Sequence, residues 1–321
     1  MFTRIKLSLV VAILLFSVYG CAPETATPIQ SATASSVPPT VTLAPTVTKT
    51  YIPPTITLTP TLTPSEVPPT ATPAPPTPTA TFIAESSFDG VRVTYITNAG
   101  FLITAGDRRI LIDGIYQGYP GGVLKPILES QPPFDGVDLI LITHEHPDHF
   151  DAELVLQYLQ DNPETKLVST PRVIDSILAI DGSVEPRLTA IDLKHGEQKD
   201  LRIADIDLEA FYISHGMPGL LNLGFVIIID NITIFHTGDI VPTSVSVSDL
   251  KAYGLPQKHI DIAFVPEFLF SEEDFHAHIL EGIQARYLIP MHFDMQPASG
   301  FESVFTNIHV FTKPYESWIM P

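Results

Sequence analysis

His144-Glu145-His146-Pro147-Asp148-His149 crowds three imidazoles and the Asp148 carboxylate into six consecutive residues. It follows an apolar run, residues 137–143, in which Asp138-Leu139-Ile140-Leu141-Ile142-Thr143 reads as a buried strand. Polar rings clustered on the loop leaving a strand are not core material. They stand where active sites form in α/β sheets, outside the carboxyl ends of strands. His144 and His146 are two apart in an extended segment, so they point the same way and can converge on one metal. Asp148 and His149 lie farther on and can reach a second, with Pro147 stiffening the bend between the pairs.

Further imidazoles and a carboxylate stand at strand ends downstream. His215 closes the apolar run 208–214, Asp239 follows the run 232–236 in Thr237-Gly238-Asp239, and His292 follows the run 286–289 in Ile289-Pro290-Met291-His292. The pattern His-X-His-X-Asp-His, with these residues after it in order, resembles the metallo-β-lactamase superfamily over residues 91–294. That resemblance implies an α/β protein, an αββα metallo-β-lactamase-like sandwich. It further implies that His144, His146 and His215 hold one metal, that Asp148, His149 and His292 hold a second, and that Asp239 bridges them. The opening of the domain, Tyr95-Ile96-Thr97-Asn98-Ala99-Gly100-Phe101-Leu102-Ile103-Thr104 leading to Arg109-Ile110-Leu111-Ile112-Asp113-Gly114, narrows the branch. With the Ile-Pro-Met-His ending, it is similar to the ascorbate-6-phosphate lactonase and N-acyl-phosphatidylethanolamine phospholipase D-like hydrolases. That branch often carries a His where Asn98 stands.

The 321 residues divide into three unlike parts. Residues 1–20 carry Arg4 and Lys6, then an apolar run from Leu7 to Val18, which reads as a signal peptide too short to span a bilayer. Val18-Tyr19-Gly20-Cys21 is similar to a bacterial lipobox, and Cys21 is the one cysteine of the chain. Lipidation of Cys21 is therefore expected, giving an exported, membrane-anchored, extracytoplasmic protein. One cysteine also excludes a disulfide framework and any Cys-based zinc site. Residues 21–84 are Pro/Thr-rich and nearly uncharged, a composition that cannot offset its own ordering entropy and favours extended polyproline II. At about 3.1 Å per residue such a spacer reaches on the order of 190 Å. The remainder, 85–321, is long enough for one sizeable domain.

The net charge is −19. Residues 1–84 contribute +1 (Arg4, Lys6 and Lys49 against Glu24 and Glu66), so the domain carries −20. So acidic a surface repels phosphate backbones and argues against nucleic acid as a partner. Within the domain, residues 91–97, 101–104, 109–113, 166–170, 223–229, 232–236 and 261–265 read as strands, with a tight turn at Asp230-Asn231. Residues 151–160 and 172–180 read as helices, the first capped by Asp151 and the second opened by Pro171. Residues 272–284 read as a third helix with a Ser271/Asp274 capping box.

Imidazoles and carboxylates suit Zn²⁺, while Mn²⁺ or Fe²⁺ fit similar N/O sites. Two such ions can share a bridging hydroxide that attacks an ester, lactone or phosphodiester of a small-molecule or lipid-like substrate. Asp148, beyond binding metal, can accept that nucleophile's proton. Asp113 is placed to accept an N–H from a ligand histidine and fix its tautomer. His236 reads as a neighbouring core histidine rather than a ligand. His276 and His278, two apart on the expected helix, would face different ways, and His195 reads as solvated. Glu272-Glu273-Asp274 suits a helix N-terminus. Glu267 is placed to border the site. Tyr116-Gln117-Gly118-Tyr119-Pro120-Gly121-Gly122 is expected to form a flap over the metals. The sequon at Asn231 falls in a tight hairpin. Three rivals share the fold: a mononuclear-iron oxidoreductase like the persulfide dioxygenases, β-lactam hydrolysis itself, which the branch resemblance disfavours, and a binding module without activity.

Overall fold

A computed structural model describes residues 90–117, 124–293 and 304–321. The expected leader (1–20), Cys21, the Pro/Thr segment (21–84) and residues 118–122 of the Gly/aromatic stretch lie outside them. Among the described residues two mixed sheets form. The first contains β1 (Val91–Thr97), β2 (Gly100–Ala105), β3 (Arg108–Ile112), β4 (Leu139–Leu141), β5 (Lys166–Ser169), β6 (Leu188–Ala190) and β13 (Ser317–Ile319), in the order β13-β1-β2-β3-β4-β5-β6. The second contains β7 (Gln198–Ile203), β8 (Ile206–Tyr212), β9 (Leu223–Ile229), β10 (Ile232–His236), β11 (Ile262–Pro266) and β12 (Tyr287–Met291), in the order β12-β11-β10-β9-β8-β7.

Alternation along the strands builds the layers. Phe101 and Ile103 enter one core with Ile110, Leu139 and Val168, and there they meet Leu208, Phe225, Ile227, Phe264 and Ile289 of the other sheet. Their neighbours point the opposite way, because successive strand residues take opposite faces. Leu102, Leu111, Ile140 and Leu167 pack under α1 (Leu124–Leu128), α2 (Ala152–Asp161) and α3 (Pro171–Leu178), through Ile127, Val155, Leu159, Val173 and Ile177. On the far face of the second sheet Val226, Phe235 and Ala263 pack with Leu250 of α4 (Val247–Ala252) and with Ile279 and Ile283. The result is the αββα sandwich.

Local chemistry fixes the helix starts. Asp151 accepts the Leu154 N–H at 3.0 Å, and Thr170 caps α3 with Pro171 in its first turn; a cap of this kind contributes about 1 kcal/mol. The β9–β10 turn is the tight one expected, with Asp230 and Asn231 both at positive φ (48° and 63°).

The expected helix over 272–284 is replaced by two short pieces that follow α5. α5 (Phe268–Ser271) ends in an extended Glu272; a 3₁₀ turn, Glu273–Phe275, follows, and then a π-helix, His278–Ile283. The Ser271/Asp274 box does not form, since the Ser271 hydroxyl turns to the Phe268 carbonyl. Tertiary contacts override the periodicity. His276 Nε2 bonds the Phe270 carbonyl at 2.8 Å, His278 Nε2 bonds the Val245 carbonyl at 2.8 Å, and Gly282 lies against Leu250 so closely that a Cβ would sit 2.7 Å from Cδ1. The wider π turn seats this segment on α4.

β3, β4, β5 and β6 run parallel, and so do β10, β11 and β12. β8 is antiparallel to β9, which is antiparallel to β10, so β8 points the same way as β10. The loops carrying Asp113, the His144–His149 cluster, His215, Asp239 and His292 each leave the carboxyl end of such a strand. Two backbone bonds tie these loops across the sheets: Leu223 N–H to the Thr143 carbonyl (3.0 Å), and His292 N–H to the Asn98 carbonyl (3.1 Å).

Candidate metal centre

Two groups of ligand atoms form at that strand end, each with its atoms within 4.8 Å of one another: His144, His146, His215 and Asp239, and beside them Asp148, His149 and His292. Asp239 belongs to both by distance. Its Oδ2 lies 3.6 Å from His144 Nε2, 3.4 Å from His215 Nε2 and 3.3 Å from His292 Nε2, and its Oδ1 lies 3.2 Å from His149 Nε2. Asp148 Oδ2 completes the second group, 3.4 Å from His292 Nε2 and 3.8 Å from His149 Nε2. Among the described residues His144 Nε2, His149 Nε2 and Asp239 Oδ1 are buried without a hydrogen-bond partner. An unsatisfied buried polar atom costs about 1–3 kcal/mol. Three of them aimed into one space, on a donor set of imidazoles and carboxylates, fit divalent cations.

Asp113 organises this centre from behind. It is wholly buried at the end of β3, with φ 43°. Oδ1 accepts the Thr143 N–H at 2.8 Å, while Oδ2 accepts the Thr143 hydroxyl at 2.7 Å and His149 Nδ1–H at 2.8 Å. Thr143 Oγ1, its proton committed to Asp113, receives His144 Nδ1–H at 2.9 Å. One carboxylate thus holds the Nδ1 proton of two rings, directly for His149 and through Thr143 for His144, and leaves both Nε2 atoms facing the centre. Thr143 was not anticipated from sequence because it reads there as the last residue of a strand.

Asn222 was also missed. It is wholly buried; Nδ2 donates to the carbonyls of Ile213 (3.2 Å) and Thr237 (3.3 Å), and Oδ1 accepts the Asp239 N–H (3.1 Å). It clamps the loop leading to His215 to the loop carrying Asp239. Gly238 makes room for it: φ is 57°, and a Cβ there would sit 2.2 Å from Asn222 Oδ1. His236, two residues earlier, is wholly buried, donates from Nε2 to the Ala99 carbonyl (3.0 Å) and accepts the Gly238 N–H at Nδ1 (3.1 Å). It braces the loops and offers no nitrogen to a metal.

The electrostatics split the two groups. Burial, reinforced by the neighbouring His149 charge, pushes His144 down to about 3, and burial and His215 push His146 below its ordinary value. These rings are neutral at pH 7, ready to donate a lone pair. Burial opposes charge on His149 and His292 as well, but the Asp113 and Asp239 carboxylates raise His149, and Asp148 and Asp239 carry His292 up to about 9. Asp148 is held down at about 2, chiefly by its hydrogen bond with His292.

The remaining expectations sort as follows. His276 and His278 bond backbone carbonyls and lie in neither ligand group. The His195 side chain is 67% exposed, near Asp249. Glu272, Glu273 and Asp274 are exposed, and so is Asn231. Glu267 follows β11, half-buried, with its N–H on the Met291 carbonyl (2.8 Å), one residue from His292. Tyr116 departs from the flap expectation: it is 3% exposed and its hydroxyl bonds Thr97 Oγ1 at 3.3 Å, so this aromatic belongs to the core. Glu145, between His144 and His146, lies in neither group and accepts from Arg172 at Oε1 (3.0 Å).

A family model described as "Beta-lactamase superfamily domain" matches residues 92–292. The chain is 28% identical over 212 residues to a UPF0173 metal-dependent hydrolase of Pyrococcus furiosus, an alignment covering 64% of this chain and 86% of that protein. It is 26% identical over 224 residues to a UPF0173 metal-dependent hydrolase of Bacillus subtilis, covering 64% and 87%. Among solved structures, a metallo hydrolase from Ignicoccus hospitalis superposes with a TM-score of 0.52 at 16% identity, over 71% of this chain and 97% of that one. A possible metal-dependent hydrolase from Veillonella parvula gives 0.51 at 16%, over 72% and 99%. At these identities the structural likeness speaks for the fold.

Proposed function

The chain belongs to the β-lactamase superfamily, and from that premise we propose that it is a metal-dependent hydrolase carrying two divalent ions, zinc by preference. Its substrate is a small or amphiphilic molecule with an ester, lactone or phosphodiester bond. The observation that carries this reading is Asp239, which lies within 3.6 Å of ligand nitrogens from both groups while its Oδ1 has no hydrogen-bond partner. When bound, two such ions supply Lewis acidity and bring the pKa of water to about 7, so that a nucleophile exists without a Ser or Cys. The side chains do the rest. Asp148, half exposed and ionised, faces both the ligand nitrogens and solvent, where it orients the attacking water and accepts its proton. Asp113 and Thr143 keep His149 and His144 in the tautomers that ligation requires. The opening of the domain, 95–114, and the Ile289-Pro290-Met291-His292 ending support the lactonase and phospholipase D-like branch as the source of substrate chemistry. The −20 charge of the domain disfavours nucleic acid.

Elemental analysis beside turnover tests the reading. About two ions per chain are expected, with Asp239→Ala losing at least one of them together with activity. A single ion in the parent, with normal turnover in Asp239→Ala, would sink it in favour of a mononuclear enzyme such as an iron oxidoreductase. Two bound ions without turnover of any generic ester, lactone or phosphodiester would favour a binding module. Loading should differ between the groups with pH. In the metal-free protein His292 keeps its proton up to about 9, so an ion must displace it, and affinity at that group rises as pH rises toward that value. His144, at about 3, has no proton to lose at neutral pH.

The leader and Cys21 support an exported lipoprotein, with residues 21–84 as a spacer between the membrane and the enzyme. Cys21→Ser should move the protein from the membrane fraction to the soluble one or block its maturation. Unchanged attachment would refute the anchor.

A further inference from the structure

Asn98 lies in the turn between β1 and β2, far in sequence from every metal ligand, yet it touches two of the three residues in the Asp148/His149/His292 group. Its Nδ2 donates to Asp148 Oδ2 and to the Asp148 carbonyl, each at 3.2 Å. Its own carbonyl accepts the His292 N–H at 3.1 Å. Asp148 Oδ2, the atom Asn98 holds, is also the one that faces His292 Nε2 and His149 Nε2.

Asp148 needs such a hold more than its partners do. Its side chain is 47% exposed, against 32% for His292, 12% for Asp239 and none for His149. A half-exposed carboxylate samples several rotamers, and ligation must bear the entropy of freezing one. The buried amide of Asn98 selects that rotamer beforehand. The turn itself is rigid. Asn98 sits at φ 49°, a left-handed conformation that Asn tolerates better than most residues. Two residues on, Gly100 packs so closely that a Cβ would lie 2.9 Å from the carbonyls of both Thr97 and Asp113. His292, at φ 61°, is held in its own left-handed conformation while its N–H is on Asn98.

We propose that Asn98 is a positioning residue for the second metal ion, fixing the Asp148 carboxylate through its amide and the His292 backbone through its carbonyl. The proposal rests on the two-ion reading above. The discriminating variant is Asn98→Gly, because glycine adopts φ 49° without strain and removes only the amide. In Co²⁺ titrations of the metal-free protein followed by absorption, the second equivalent should bind about 10- to 100-fold more weakly than in the parent. The first equivalent, held by His144, His146 and His215, should be unchanged and serves as the internal control. In an Asp148→Ala background Asn98→Gly should add nothing further, since the group it anchors is gone. Asn98→Ser, which also removes the Nδ2 donor and adds no charge, provides the same comparison should the glycine variant fold poorly. Two equivalents bound with parental affinity in these variants would overturn the proposal alone. Equal weakening of both equivalents alongside a lowered melting temperature would reduce Asn98 to a structural residue and overturn it as well. A parent that takes up a single equivalent would overturn the two-ion reading, and this proposal with it.

Discussion

Asp148→Asn is expected to lower turnover by about 10²- to 10⁴-fold, the usual range for loss of a proton-transferring group. Asparagine keeps the shape of the side chain but cannot offer two anionic oxygens. Asp148 Oδ2 stands 3.2 Å from Asn98 Nδ2 and 3.4 Å from His292 Nε2. An amide that turns its oxygen to Asn98 puts an NH₂ in place of the other anionic oxygen. The opposite flip sets two NH₂ groups against each other. Either way an anionic acceptor is lost, and because the side chain is half exposed the loss of turnover should far exceed the loss of stability. Steady-state kinetics beside thermal melting of the metal-free protein checks this. Turnover within a few-fold of the parent would remove Asp148 from the chemistry, and loss of activity in step with unfolding would make its role structural.

Asp113→Ala should have the largest effect on stability, about 3–5 kcal/mol, the range for breaking a buried ion pair by removing one partner. That is a large fraction of the roughly 5–15 kcal/mol that holds a typical domain folded. Alanine strands the Thr143 N–H and His149 Nδ1–H, both wholly buried. The pH window follows from the two shifts. Burial opposes the Asp113 charge, but His149 holds it below its ordinary 3.8, so its contribution is present above 3.8 and lost as pH falls through the lowered value. Burial likewise opposes the His149 charge, but Asp113 raises it above 6.5, so in the metal-free protein its contribution is present below 6.5 and lost as pH rises through the raised value. Urea melts of the metal-free protein between those ordinary values, 3.8 and 6.5, should show the full difference. Asp113→Asn should be milder for folding but not for loading. When its NH₂ faces His149 Nδ1, that ring must carry its proton on Nε2 instead, and metal affinity should fall by about 10- to 100-fold. Parental stability in the alanine variant together with parental loading in the asparagine variant would show that Asp113 sets no tautomer.

The residues that gather in the candidate metal centre could be picked out in the sequence because each follows an apolar run. A run of Leu, Ile and Val that stops at a polar ring says both that a strand is there and that the ring stands at its end. The tight β9–β10 turn and the starts of α2 and α3 were legible for a similar reason: Asp230-Asn231, Asp151 and Pro171 act on their own neighbours, whereas Thr170 reads as the end of a strand and is seen as the cap of α3 only in the structure. The polar edge strand β7, with Lys199, Asp200 and Arg202, and the three-residue β6 and β13 carry little such local signal. The segment 272–284 misled for a related reason, because its helical spacing is real while carbonyls at Phe270 and Val245 and the side chain of Leu250 decide its path.

The sequence by itself determined which imidazoles and carboxylates the candidate centre contains, their order along the chain and their places at strand ends, since those depend on residues adjacent in the chain. Only the tertiary structure decided what holds the ligands. Thr143 relays Asp113 to His144, Asn222 joins the His215 and Asp239 loops, and Asn98 reaches Asp148 across fifty positions of chain. An amide or a hydroxyl has no periodic or local signature. Its partner is chosen by where the two sheets bring their loops together, and that depends on the packing of the whole core between them.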